Sequence, residues 1–146
     1  MRTTAHALLA GVFAFLMAAC EQPNPVGPGE LASSDALIVA LQQQGATVSR
    51  GEVLPRGSTP YFSTNAQVVF VNAESLNVFE YSTVAAAEGD AAKVSPDGSA
   101  IGSTMVTWIG PPHFYRNGRV IVLYAGSVEA VLLPLEAVLG KPFAHR

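Results

Sequence analysis

His113 stands between a proline pair and two aromatic rings in the run WIGPPHFYRNGRVIVLY, residues 108–124. Residues of these types support two kinds of chemistry. An imidazole paired with Asp97 and a nearby serine would make a hydrolytic site, with His113 taking the hydroxyl proton. Alternatively, Pro111, Pro112, His113, Tyr115 and Arg116, with Trp108 and Phe114 beside them, form an exposed aromatic and cationic patch. Interfaces favour that composition, and the histidine would add pH dependence near neutrality. An architectural reading stands next to both. In it Asn117-Gly118 is the turn of a β-hairpin, Arg116 and Arg119 are its solvated flanks, and Trp108, Phe114 and Tyr115 are packing residues. Strand alternation then puts Val106 and Trp108 on one face and Met105 and Ile109 on the other.

Other chemistries find less support. Beyond the N-terminal segment only His113 and His145 remain as histidines, with no cysteine pair and no H-E-x-x-H spacing, so no metal or other cofactor is expected. The segment SPDGS, residues 95–99, lacks the alternating acids of a calcium loop, and Pro-Asp-Gly reads as a β-turn. DGSAIGST, residues 97–104, lacks the lysine of a phosphate loop. No G-x-S-x-G elbow occurs, and no spacing singles out a carboxylate pair. A formal charge of −3 does not suit a nucleic-acid partner, which calls for a basic face. These observations favour a non-enzymatic binding domain with no catalytic residue assigned. A small-molecule or lipid carrier, using a cleft between helices and sheet, is the alternative. A hydrolase built on His113 comes after it.

The clearest chemistry belongs to Cys20, the single cysteine. Arg2 opens the chain with a positive charge, an apolar stretch runs from about Ala7 to Met17, and small residues precede the thiol. This is the layout of a secretory signal peptide over residues 1–19. Met17-Ala18-Ala19-Cys20 resembles the lipobox of bacterial lipoproteins, with Met17 where leucine is commonest. The resemblance implies that the Cys20 sulfur carries diacylglycerol, that the signal is cut before it, and that membrane lipid is a partner. Two or more acyl chains make a stable anchor at about 0.8 kcal/mol per buried CH₂. The expected location is the cell membrane or the outer membrane, with the domain outside the cytoplasm. Glu21 leaves the choice between the two membranes open.

What must position these residues is a tether followed by one domain. Residues 20–31 contain Pro23, Pro25 and Pro28 and read as an extended spacer. Residues 32–146 read as a single α+β domain in the order α-β-β-β-α-β-β-α, a mostly antiparallel sheet of about five strands with helices packed on it. The first helix is capped by Ser33 or Ser34 and stops at Gly45. A hairpin-then-helix pattern then occurs twice. QVVFV-NAES-LNVFEY leads into an Ala-rich helix capped by Ser82 or Thr83. TMVTWI with HFYRNGRVIVLY leads into a helix capped by Ser127 and stopped at Gly140, in which Pro134 forces a kink or a new start. Strand 120–124 is apolar on both faces and belongs in the middle of the sheet.

Residues 95–126, SPDGSAIGSTMVTWIGPPHFYRNGRVIVLYAG, are similar to a segment of a family of small uncharacterised bacterial envelope proteins. Weaker likeness extends over the preceding hairpin and the final helix. The resemblance implies a discrete bacterial domain and assigns it no activity. The partner expected for the lipid-anchored binding domain is an envelope protein or polymer.

Overall fold

A computed structural model describes residues 29–58 and 61–146. The expected signal peptide, the lipobox-like run with Cys20 and most of the expected tether lie outside the described residues. Helix α1 (Ser34–Gln43) is followed by strands β1 (Val48–Leu54), β2 (Ala66–Val71) and β3 (Glu74–Glu80), then helix α2 (Val84–Ala91). Two short strands, β4 (Ala100–Ile101) and β5 (Thr104–Met105), precede β6 (Pro112–Asn117), β7 (Val120–Ala125), helix α3 (Glu129–Leu139) and β8 (Ala144–His145). The main sheet has six strands in the order β1-β2-β3-β7-β6-β8, every neighbour antiparallel, and β4-β5 form a separate ribbon. The α+β class and the order of the elements are as the sequence indicates. Among the described residues no helix is long and apolar enough to cross a membrane.

The sheet is covered on both sides, which is why β7 is buried at five of its six positions. Alternation assigns the faces. Val120, Val122 and Tyr124 join Val69, Val71, Leu76, Val78 and Tyr115 under α1 and α3. Ile121 and Leu123 join Phe79 and Phe114 under α2 and the loops around it. Each Val, Leu or Ile so buried contributes about 1.5–3 kcal/mol. Leu31, which the sequence places in the tether, is only 8% exposed and packs into the first core.

Three local features depart from the sequence reading. The two-residue turn of the second hairpin is Gly118-Arg119, because Asn117 still pairs with Val120. Only Gly118 has positive φ (55°), the pattern of a turn with glycine at its first central position. Asn117 is thereby freed to accept a hydrogen bond from the Leu31 amide at 3.0 Å. Arg119 is a clasp as well as a flank. Its amide donates to the Leu31 carbonyl (3.0 Å), and its guanidinium donates to the carbonyls of Ala32 and Ser82.

Residues 106–111 form no ladder strand, although Val106 and Trp108 turn towards the core while Met105 and Ile109 face solvent. The edge of β6 that this segment would need is held by β8. Finally, the residue preceding α3 is Val128, and no side chain caps the helix. The Val128 amide instead donates to the Tyr124 hydroxyl at 3.3 Å. The other helix starts agree with the reading: Ser33 and Thr83 accept from the amides of Ala36 and Ala86.

Pro134 lies inside α3 without ending it. Proline cannot donate to the carbonyl four residues back, which is that of Ala130. The Asn72 side chain, at the tip of the first hairpin, supplies the missing donor at 2.7 Å, and its oxygen accepts from the Thr47 amide at 2.9 Å.

Candidate functional site

The proposed patch is divided by the alternation of β6. Pro112, Phe114 and Arg116 point to the α2 side of the sheet, His113 and Tyr115 to the α3 side. Tyr115 is fully buried, so it belongs to no exposed patch. Its hydroxyl has no hydrogen-bond partner among the described residues, and burial, with Glu136 and Tyr124 adding, pushes its pKa up to about 12. Pro112 is buried, Pro111 is exposed, and Arg116 is half-buried beside Glu88, 3.4 Å away.

What survives on the surface is a cleft of about 280 Å³ at the start of β6, with Trp108, Gly110, Pro111, Pro112 and Arg146 in its walls. Its construction begins with the Ser95–Gly98 turn, closed by the Gly98 amide donating to the Ser95 carbonyl at 2.8 Å. Gly98 has φ 67°, and a Cβ there would sit 3.0 Å from both Phe114 and Pro112. Its carbonyl accepts from the Trp108 indole at 2.7 Å, which fixes the ring. Trp108 also meets Phe114 edge-on at 5.7 Å and Tyr61 at 5.9 Å. Such aromatic pairs add about 0.5–1.5 kcal/mol each beyond the area they bury. The Gly126 amide donates to the Pro111 carbonyl at 3.0 Å, holding the loop against the end of β7.

Arg146 enters the cleft because its amide donates to the Pro112 carbonyl at 3.3 Å. Its guanidinium lies 3.9 Å from Asp97 and is 69% exposed. Three hydrogen bonds from Ser95 and Ser99 hold the Asp97 carboxylate, the Ser99 amide foremost, and lower its pKa to about 2. Beside the cleft, Ile109 is completely exposed and Met105 is 78% exposed. The alternation of MVTWI signals that these two face away from Trp108. Arg146 carries no such signal, since nothing in the chain announces that its last residues return to β6.

His113 sits on the opposite face. Its ring stacks on Tyr124 and on His145, at 6.3 Å in each case. Burial lowers its pKa from the ordinary 6.5. His145 pushes the same way, while a hydrogen bond with the Gly126 backbone and the charge of Glu136 push back. Asp97 is committed to its own turn, so the pairing of His113 with Asp97 that a hydrolytic site would use is not formed.

Among the described residues, two further clefts are open and already satisfied or bland. One, of about 350 Å³, contains Ser34, Glu80 and Arg119. Glu80 there accepts from both the amide and hydroxyl of Ser34, and Arg119 donates to backbone carbonyls. The other, of about 390 Å³, runs between the end of α1 and α3 over Leu133 and Pro134. Among the described residues no group of three or more His, Cys, Asp or Glu is placed to hold a metal ion.

A buried carboxylate lies elsewhere. Asp90, 3% exposed, accepts from the Ser63 amide (2.6 Å), the Ser63 hydroxyl (2.7 Å), the Tyr81 hydroxyl (2.9 Å) and the Lys93 ammonium (2.6 Å). Every partner is internal, so this cluster ties α2 to the sheet.

Comparison with family models, curated proteins and solved structures gives no match.

Proposed function

We propose that the chain is a lipid-anchored bacterial envelope protein whose domain is a non-enzymatic docking module for another envelope component, protein or polymer. Anchoring rests on Met17-Ala18-Ala19-Cys20 and the proline-rich tether behind it. Docking rests on one observation: Ile109 and Met105 stand in solvent on a loop braced by Trp108, next to a cleft that offers an aromatic wall, prolines and a cation. Exposed apolar anchors beside aromatic and arginine side chains are the usual makings of an interface.

The placement suits that role. The chain from the tether meets the sheet at Gly118 and Arg119, one end of the second hairpin, whereas the cleft lies at the other end of β6. The five residue steps from Pro112 to Asn117, at ~3.4 Å each, separate them by about 17 Å. The cleft is thus directed away from the anchored end.

Two experiments test the two halves. Cys20→Ser should move the protein from the membrane fraction to the soluble envelope fraction, and unchanged fractionation defeats the anchor. A photocrosslinker at Ile109 should capture one partner that Trp108→Ala no longer captures. Equal capture by both proteins removes the cleft from the interface.

A further inference from the structure

His113 and His145 face each other across β6 and β8 as directly paired residues, their rings 6.3 Å apart and within 6° of parallel. The strand that carries His145 is two residues long and forms the edge of the sheet. Outside its two-residue ladder with His113 and Phe114, it is held by the Phe143 amide donating to the Phe114 carbonyl (2.8 Å), the His145 amide to the Pro96 carbonyl (3.0 Å) and the Arg146 amide to the Pro112 carbonyl (3.3 Å). Ala144 is buried, and Phe143 packs on Phe114 at 6.1 Å.

We propose that β8 is an acid-releasable clasp, in which charging the paired His113 and His145 imidazoles parts them, frees residues 143–146 from β6 and withdraws Arg146 from the cleft. Neutral rings stack without penalty, whereas two imidazolium ions with ring centres 6.3 Å apart at the sheet edge repel each other. The other groups facing His113 only partly oppose that repulsion. From β7 comes the neutral Tyr124 ring, from the β7–α3 turn the Gly126 backbone, and from α3 the carboxylate of Glu136. Beside His145, Arg146 is already paired with Asp97.

The sign is fixed by the folded state's preference for neutral His113. A lowered pKa means that the closed clasp binds fewer protons than the open one, so closure is complete above the ordinary histidine value of 6.5 and weakens as pH falls below it. Short edge elements with few bonds are the segments that open locally while the rest of a domain stays folded. Release itself does not depend on what the cleft binds; only its consequence for docking rests on the function proposed above.

The test is hydrogen exchange by mass spectrometry on the full chain in detergent, at about pH 7.5 and about pH 5, on either side of the histidine range. After correction for intrinsic exchange, protection of residues 143–146 should fall by about tenfold or more on acidification while β2 and β3 keep theirs. In His145→Gln, whose altered side chain is exposed, the fall should shrink to the part that burial of His113 alone produces. Equal protection at both pH values, or the same fall in His145→Gln, would overturn the clasp. Trp108, the only tryptophan, gives an independent reading. Its emission should shift towards the red on acidification in the wild-type chain and shift less in His145→Gln. An unmoved emission in the wild type would overturn the withdrawal of Arg146.

Discussion

In β2–β3–α2 the turn is Asn72-Ala73 and the helix is tied back by the Tyr81 hydroxyl donating to Asp90. In β6–β7–α3 the turn is Gly118-Arg119 and the helix is tied back by the Tyr124 hydroxyl accepting from the Val128 amide. Along the chain the two units look like copies. In space they are opposites, since α2 covers one face of the sheet and α3 the other. A two-fold axis relating antiparallel β3 and β7 would run perpendicular to the sheet and leave both helices on one face. The likeness is therefore one local solution reached twice, a tyrosine at a strand's end that reaches over to the helix that follows. The two turns differ just as much. Asn72 (φ 51°) and Ala73 (φ 71°) both occupy left-handed backbone, while the other turn puts glycine at its single left-handed position.

The largest expected way to break the first unit is Asp90→Ala. It leaves the Ser63 amide, the Tyr81 hydroxyl and the Lys93 ammonium without their acceptor, and should cost about 3–5 kcal/mol in urea denaturation. Acid supplies a second reading. Burial alone would raise the Asp90 pKa, but Lys93, Ser63 and Tyr81 bring it below the ordinary 3.8. Its contribution is present above that value and lost as pH falls, so Asp90→Asn should flatten the acid limb of the stability curve. A full acid limb in the variant would assign that limb to other carboxylates.

Next in size, Gly118→Ala attacks the second hairpin. The added Cβ would collide with the Leu31 carbonyl and the Glu30 side chain, in a backbone region that alanine resists. About 2–3 kcal/mol of destabilisation is expected, together with loss of exchange protection at the Leu31 amide.

Asn72→Asp keeps the acceptor for Thr47 and removes the donor to Ala130, at an expected cost of about 1–2 kcal/mol. Pro134→Ala restores the helix's own donor, so in that background the Asn72→Asp cost should largely disappear. Additive losses in this double-mutant cycle would show that Asn72 does not serve the carbonyl that Pro134 leaves open.

The smallest effect has the opposite sign. Ala73→Gly relieves a non-glycine residue at φ 71° and should stabilise the domain by about 0.5–1 kcal/mol. A loss of stability would mean that the alanine contributes more than its backbone strain costs.

Most of the architecture is legible from periodicity. The apolar doublets of β3 and β7 announce a sheet covered on both faces, and Ser33, Thr83 and Gly140 mark helix ends with local chemistry. What escaped depends on the alternation of one strand and on contacts far apart in the chain. Pro111 to Arg116 look contiguous, yet period-two geometry sends Tyr115 into the core and leaves Pro111 outside. MVTWI has a strand's alternation, yet the edge it would join belongs to β8, and nothing in Ala144-His145 foretells that return. Arg146 is missing from any sequence reading of the cleft for the same reason. Asn117-Gly118 is the strongest short hairpin signal in the chain, yet the turn sits one residue later, because Asn117 stays in the ladder opposite Val120 and its side chain turns to Leu31.

That engagement has a mechanical consequence. Three hydrogen bonds join Leu31 and Ala32 to Asn117 and Arg119 immediately before α1 begins. A pull arriving from the N-terminal side is taken up there and passed into the β6–β7 hairpin, before it reaches the first turn of the helix. The arrangement works like the strain relief on a cable. Tugging or thermal jostling from that side loads the sheet, and α1 does not unravel from its N-terminal end.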